Sequence, residues 1–256
     1  MSSDCLSPLD ALKLHRLIAI VRGTSGEAAD RTADALSDGG VRMIEVTLNT
    51  AGALGAIERW RTRFAGRMRV GAGTVLDVES ARAAIGAGAE YLISPSLNED
   101  VVALGNRHGV SVWPGVLSAN EVLRARAAGA DAVKIFPASV VGPKYFSDLA
   151  VVLRASFPSP GTTGEGLGEG LRQAVPGPSP TPLPAYRAIV SEGGFPMIAV
   201  GGVGEQNIRA FIDAGAAGVG LGGSLVDAAL IRAGKFDELR ELARRIVAIA
   251  TSGEAA

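Results

Sequence analysis

The feature of this 256-residue chain that most limits its fold is a repeat of short apolar runs, each followed by a longer helix-like segment. The runs are apolar on both faces, which is typical of strands in a parallel sheet that is covered on both sides. They lie at residues 17–21, 43–48, 68–72, 91–93, 110–113, 132–136, 197–200 and 218–221. Ala-rich patterns of helical period lie at residues 27–37, 51–64, 78–87, 99–107, 120–127, 144–153, 205–214 and 236–251.

Eight such units predict a closed (β/α)8 TIM barrel, formed by one domain over residues 1–256. Glycines before the next run predict left-handed helix ends at Gly39-Gly40, Gly88, Gly109, Gly129 and Gly215. The competing arrangement is an open doubly wound sheet. It is disfavoured because no Gly-x-Gly-x-x-Gly turn follows the first run.

One segment interrupts the repeat. Residues 158–184 contain seven proline and six glycine residues and no hydrophobic period. This composition predicts a flexible or polyproline-like insertion within the domain rather than a second domain. The segment joins the sixth predicted helix to the seventh predicted strand, so we expect it on the barrel face opposite the active site.

Charge and cysteine content restrict the class of partner and the compartment. The formal net charge is −1, which argues against a nucleic-acid partner or an anionic membrane surface. No apolar stretch approaches the length of about 18 residues that a membrane span needs, and no signal peptide is evident at the N-terminus. The single cysteine, Cys5, excludes an internal disulfide and fits a cytoplasmic location.

Lys134 lies in the middle of an apolar run, Ala132-Val-Lys-Ile-Phe136, and is one of only four lysines in the chain. An isolated ammonium inside a barrel strand is costly to bury. Desolvation lowers the pKa of such a lysine and frees its amine to attack a carbonyl carbon. A structural salt bridge or a lysine that reaches solvent is the alternative.

Glu45 is a second charged residue inside an apolar run, and alternation places it on the same strand face as Thr47. A buried carboxylate is rare unless it is paired. We expect Glu45 and Lys134 to meet inside the barrel, where the carboxylate would move protons during Schiff-base chemistry. A buried structural ion pair is the alternative for these two residues.

Glycines follow the last two predicted strands, as Gly201-Gly202 and as Gly222-Gly223 before Ser224. Glycine lets backbone N–H groups approach an anion, and the loops after strands 7 and 8 form the usual phosphate site of these barrels. The sequence therefore predicts a phosphate site at these loops. The only histidines, His15 and His108, form no metal-ligand cluster with other residues, so no metal is predicted.

Seven motifs in order give the chain a resemblance to a known family. They are GVRMIEVTL at 40–48, VGAGTV at 70–75, ISPS at 93–96, WPG at 113–115, VKIFPA at 133–138, AVGGV at 199–203 and GLGGS at 220–224. The set resembles the class I aldolases of 2-keto-3-deoxy-6-phosphogluconate (KDPG), its galactonate epimer (KDPGal) and 4-hydroxy-2-oxoglutarate (KHG).

The resemblance implies a lyase that releases pyruvate and glyceraldehyde 3-phosphate from a phosphorylated keto sugar acid, without cofactor or metal. Lys134 would form the Schiff base and Glu45 would be the general acid and base. The resemblance further implies that Thr74 contacts the pyruvate carboxylate and that Arg22 contacts an anion. Pro95 and Phe136 would line the pocket, the phosphate would bind Gly202, Gly223 and Ser224, and Gly201 would also contact the substrate. Family members usually form homotrimers.

Two positions bear on which epimer is the substrate. The gluconate branch usually has arginine where this chain has Asn49, and threonine where it has Val200. Both residues here resemble the galactonate branch, whereas Thr47 resembles the gluconate branch. A KHG aldolase, and a phosphosugar isomerase or sensor on the same barrel, are the alternative functions, although neither an isomerase nor a sensor needs a lysine inside a strand.

Deleting residues 158–184 and joining the ends with a short linker should leave kcat near the wild-type value. The segment has no apolar period, and each doubling of loop length changes the closure free energy by only about 0.6 kcal/mol. Steady-state kinetics of the folded deletion variant test this. A large loss of turnover would mean that the insertion reaches an active site.

Overall fold

The computed structural model describes residues 6–156 and 194–252. Its nine strands are β1 Leu17–Val21, β2 Met43–Thr47, β3 Arg69–Gly73, β4 Tyr91–Ile93, β5 Ser111–Trp113, β6 Gly115–Val116, β7 Val133–Ile135, β8 Met197–Val200 and β9 Gly218–Leu221. Its helices are α1 Pro8–His15, α2 Gly26–Asp38, α3 Ala53–Arg63, α4 Val78–Gly86, α5 Glu99–His108, α6 Ala119–Ala127, α7 Ala138–Ser156, α8 Ile208–Asp213, α9 Ala228–Arg232 and α10 Phe236–Thr251.

The strands form one parallel sheet in the order β5-β4-β3-β2-β1-β9-β8-β7-β6. Only Pro114 separates β5 from β6, so the two ends of the sheet belong to one interrupted strand and the barrel closes there. The carbonyl of Pro114 still accepts a hydrogen bond from the backbone N–H of Lys134 at 2.9 Å. The predicted (β/α)8 barrel is therefore confirmed.

Period-two alternation divides the apolar side chains into two cores. Outward residues of the strands pack against the helices, as Val46 and Ile135 do. Inward residues fill the barrel, where Tyr91 and Trp113 stack with ring centroids 4.8 Å apart. The Tyr91 hydroxyl donates to the carbonyl of Ile44 at 2.8 Å, which ties the stack to β2.

Helix α1 closes the bottom of the barrel. Ser7 caps it by accepting from the N–H of Asp10, and Pro8 occupies the first turn. Leu9 and Leu12 belong to the interior core, and Leu12 lies against Gly218 of β9. The apolar repeat did not predict this eight-residue helix, because it precedes the first run.

Several predicted boundaries were wrong. The sixth helix begins at Ala138 instead of residue 144, and it is broken where Gly142 adopts φ 70° before Pro143. The seventh is shorter, at Ile208–Asp213, and the five-residue α9 was not predicted. The predicted left-handed helix ends are confirmed at Gly40, Gly88, Gly109, Gly129 and Gly215, but Gly39 has φ −75°.

The predicted insertion at residues 158–184 lies outside the described residues. Within residues 6–156 and 194–252, no helix combines the length and the apolar character that crossing a bilayer requires.

Leu12→Ala should lower the free energy of unfolding by about 2–5 kcal/mol, because it opens a cavity in the closed end of the barrel. Leu14→Ala is the matched control, since Leu14 lies on the same helix with 48% of its surface exposed. Urea titration of both variants measures the difference. Equal, small losses would show that α1 does not contribute to the interior core.

Candidate active site

Lys134 lies on β7 with its side chain inside the barrel and only 4% of its surface exposed. Its strand neighbours are Gly115 and Ile198. The Nζ atom lies 4.7 Å from the centroid of the Phe136 ring, which is itself 38% exposed. Among the described residues the amine makes no hydrogen bond and no ion pair within 4.0 Å.

Glu45 lies on β2, also inside the barrel, with 1% of its surface exposed. Its carboxylate lies across Gly73 of the neighbouring strand β3. Neither carboxylate oxygen has a hydrogen-bond partner within the part of the chain that the structure describes. A buried carboxylate without a donor is costly, and such groups concentrate at functional sites, so Glu45 is a candidate functional residue.

Burial shifts the pKa of Glu45 and that of Lys134 in the directions that favour their neutral forms. Desolvation raises the pKa of the Glu45 carboxyl above 4.5, and the positive charges of Lys134 and Arg22 oppose this shift. Desolvation lowers the pKa of the Lys134 ammonium below 10.5, the charge of Glu45 opposes this shift, and Arg22 adds to it. The two groups therefore influence each other, although the described structure contains no direct ion pair between them.

A cavity of about 460 Å³ opens at the carboxyl ends of β1, β7, β8 and β9. Seven of the residues that the sequence predicted for the site line it: Arg22, Phe136, Val200, Gly201, Gly202, Gly223 and Ser224. Phe136 forms the wall nearest to Lys134, and its ring lies against the backbone of Gly201, where an added Cβ would come within 3.1 Å. The two glycine loops after β8 and β9, where the sequence predicted a phosphate site, therefore line the same cavity.

The glycine loop after β9 has the features of an anion site. Cβ atoms built on Gly222 and Gly223 would meet nothing within 4 Å, so this stretch of backbone faces open space. The N–H groups of Gly223 and Ser224 donate to no acceptor among the described residues. The Ser224 hydroxyl donates to the carbonyl of Val203 at 2.8 Å, which joins the loop after β9 to the loop after β8 and leaves the oxygen free to accept.

Arg22 follows β1 and is exposed at the cavity. Two threonines hold the turn beside it. The N–H of Gly23 donates to Thr50 Oγ1 at 2.9 Å, and that oxygen lies 3.0 Å from Thr47 Oγ1. Thr47 is therefore a buried structural contact, and Arg22 is a cation that a bound anion can reach.

Thr74 follows Gly73 and has a left-handed backbone with φ 58°. A β-branched residue rarely adopts this conformation, and such strain concentrates at functional sites. The side chain is half-buried. The strain supports a functional position for Thr74, which directly follows Gly73, the β3 residue that the Glu45 carboxylate lies across.

Five of the predicted site residues do not line the described cavity: Lys134, Glu45, Thr74, Pro95 and Asn49. The backbone of Pro95 lies against Gly115, the strand neighbour of Lys134, so Pro95 is one step removed from the lysine. Asn49 is exposed in the turn after β2.

Ile20, Val203, Gly220, Gly222, Val226 and Ala228 also line the cavity. Period-two alternation along β1 could have predicted Ile20, because it points inward with Ile18. No sequence signal pointed to Ala228, since its short helix has no clear period.

Comparison with known proteins finds sequence relatives that are described as aldolases. The model of the family described as "Aldolase: KDPG and KHG aldolase" matches residues 9–156. The 2-dehydro-3-deoxy-6-phosphogalactonate aldolase of Escherichia coli (strain K12) is 31% identical over 209 residues, which cover 82% of this chain and 83% of that protein. The 2-dehydro-3-deoxy-phosphogluconate aldolase of Treponema pallidum (strain Nichols) is 44% identical over 133 residues, which cover 52% of this chain and 63% of that protein.

A solved structure described as "Native KDPGal structure" superposes with a TM-score of 0.70 at 28% identity, covering 91% of this chain and 95% of that one. The sequence-level and structural relatives therefore agree on the family.

A Lys134→Met/Glu45→Gln double variant should be more stable than the wild type by about 1–4 kcal/mol at pH 7, since it removes two buried charges. The cost from Glu45 is absent below pH 4.5 and grows as pH rises through its raised folded-state pKa. The cost from Lys134 is absent above pH 10.5 and grows as pH falls through its lowered pKa. The gain should thus be largest between these limits.

Urea titrations at several pH values measure this difference. A double variant less stable than the wild type at pH 7 would mean that Lys134 and Glu45 form a stabilising structural pair.

Proposed function

The chain belongs to the KDPG and KHG aldolase family and is a carbon–carbon lyase, and we propose that it cleaves a phosphorylated 2-keto-3-deoxy sugar acid to pyruvate and glyceraldehyde 3-phosphate. One observation carries the proposal. A lysine with a lowered pKa and a carboxyl with a raised pKa lie unpaired inside one barrel, beside a cavity that ends at an open glycine loop.

Lys134 is the proposed nucleophile. Its lowered pKa raises the fraction of neutral amine near pH 7, and the amine attacks the C2 keto carbon to give a carbinolamine. Loss of water yields the iminium ion. The Phe136 ring at 4.7 Å favours the cationic nitrogen by a cation–π contact.

Glu45 is the proposed general acid and base. A raised pKa brings its carboxyl closer to the pH at which it must both give and accept protons. It takes the proton of the C4 hydroxyl as the C3–C4 bond breaks, and the iminium nitrogen receives the bond's electrons. The aldehyde leaves, C3 of the enamine regains a proton, and water releases pyruvate from Lys134.

The two ends of the substrate are held by different groups. Arg22 and the strained Thr74 are proposed to bind the carboxylate next to the reacting carbon. Gly201, Gly202, Gly223 and Ser224 are proposed to bind the phosphate through backbone N–H groups and the serine hydroxyl. The cavity runs from Phe136 to the loop after β9 and is also lined by Arg22, so it offers one extended molecule both a cation and the glycine loops.

A KHG aldolase is the second candidate, and activity on unphosphorylated 4-hydroxy-2-oxoglutarate tests it. The open glycine loop favours a phosphorylated substrate. An isomerase or a sensor has no use for a buried, unpaired lysine and carboxylate. We also propose a homotrimer in the cytoplasm on the strength of the family resemblance, and sedimentation equilibrium measures the subunit number.

Borohydride with pyruvate should reduce a covalent adduct onto Lys134 and inactivate the enzyme irreversibly. Lys134→Arg should be inactive and unlabelled, because a guanidinium stays protonated and cannot attack a carbonyl. Lys144→Arg is the matched control, since Lys144 is exposed and paired with Asp148, and it should label fully. Peptide mass mapping locates the adduct, and a label on Lys144 or no label at all would refute the assignment.

We expect activity on both C4 epimers, with the galactonate form at least competitive. Val200 is 5% exposed and presents methyl groups to the cavity, so it cannot hydrogen-bond a C4 hydroxyl. An apolar wall discriminates weakly between hydroxyl epimers, and an arginine donor is absent at Asn49. Val200→Thr should shift the ratio of kcat/KM values toward gluconate. A wild-type preference for gluconate above about 100-fold would contradict this account of Val200 and Asn49.

A further inference from the structure

The carboxylate of Glu45 is positioned by packing and not by hydrogen bonds. Neither oxygen has a donor among the described residues. The side chain instead crosses the neighbouring strand at Gly73, where a Cβ atom would overlap Oε1, Cδ and Cγ of Glu45. The free space above Gly73 is thus the site that the carboxyl group occupies.

The neighbours of Glu45 leave it few other positions. Gly71, its strand partner on β3, has its own free space filled by the Tyr91 ring. Tyr91 is fully buried, stacked on Trp113 and bonded to the carbonyl of Ile44, so this ring is fixed. On β3, the space above Gly73 is therefore open to the Glu45 carboxylate, whereas the space above Gly71 is already filled.

We propose that Gly73 is a positioning residue for the general base: the missing side chain on β3 sets where the Glu45 carboxylate stands relative to Lys134. This inference rests on the proposed function, since it assigns a role within that reaction. It differs from a packing role because it concerns the placement of one reactive group and not the stability of the barrel.

The step that depends on this placement is proton transfer at C3. With pyruvate held on Lys134 as an iminium ion, the Glu45 carboxylate removes one methyl proton. The electrons of that C–H bond form the C2–C3 double bond, and the C2–N π electrons move to the nitrogen, which becomes neutral. The product is the enamine with a protonated Glu45, and reversal in D₂O exchanges the methyl protons for deuterium.

Gly73→Ala tests the placement directly. Gly73 does not have the positive φ that makes alanine strained, unlike Gly201 with φ 91°, and the atoms it would meet belong to a flexible side chain. We expect the strand to persist and Glu45 to rotate away. A displacement of about 1 Å lowers turnover by roughly 100-fold. Gly86→Ala is the control, since its added methyl meets nothing within 4 Å and activity should not change.

Two readouts separate placement from general damage. Gly73→Ala should still be labelled to completion on Lys134 by pyruvate and borohydride, whereas deuterium exchange into the pyruvate methyl group, followed by proton NMR, should fall by roughly the same factor as kcat. Normal exchange and turnover in Gly73→Ala, with a labelled wild type, would overturn the inference alone. No label in the wild type would overturn the proposed function, and the inference with it.

A double-mutant cycle covers the case in which Gly73→Ala folds poorly. Glu45→Ala removes the group that the new methyl would meet. In that background Gly73→Ala should cause no loss of Tm and no further loss of exchange. Strong coupling of this kind is expected for residues in direct contact and not for distant, independent sites. Equal losses of Tm in both backgrounds would overturn the inference, because the methyl would then be meeting the backbone and not Glu45.

Discussion

The physical constraint that governs this site is the desolvation of a lysine and a carboxylate inside one closed barrel. Each unpartnered buried polar group costs about 1–3 kcal/mol, and within the described residues the oxygens of Glu45 and the indole nitrogen of Trp113 have no partner. The stability of the barrel that offsets these costs comes from its two apolar cores, one of which includes Leu9 and Leu12 of α1. The same desolvation shifts the pKa values of Lys134 and Glu45 in the directions that Schiff-base chemistry needs.

Glycine is the second recurring device, and it serves two purposes. At Gly73 and Gly201 the missing side chain makes room for Glu45 and Phe136. At Gly222 and Gly223 it leaves backbone open toward the cavity. Lys134 and Glu45 therefore lie buried on strands, whereas the open glycine backbone and the exposed Arg22 lie at the cavity, where we propose that the substrate's anionic groups bind.

Much of the fold and part of the site follow from the sequence. Strands apolar on both faces indicate a covered parallel sheet, and eight of them predict a barrel. Lys134 and Glu45 could be identified from the sequence because a charged residue within an apolar strand is costly to bury and is therefore rare without a partner or a function. The first turn of α7, from Ala138 to the break at Gly142, was missed because Gly142 and Pro143 favour a helix that begins after them. Sequence also could not show that the two charges stay unpaired, since that depends on the depth of each side chain in the barrel. The space above Gly73 arises from a contact between strands and so has no local signature.

A direct titration of Lys134 tests the central claim, that burial lowers the pKa of its ammonium. The chain has only four lysines, so lysine labelled with ¹³C at Cε gives few NMR signals, and Lys134→Met assigns the relevant one. The account predicts that this signal titrates with a midpoint below the ordinary lysine value of 10.5 and that Glu45→Gln lowers the midpoint further, because the opposing negative charge is gone. A midpoint at or above 10.5 would contradict the account, because Lys134 would then be a stabilised cation and not a nucleophile.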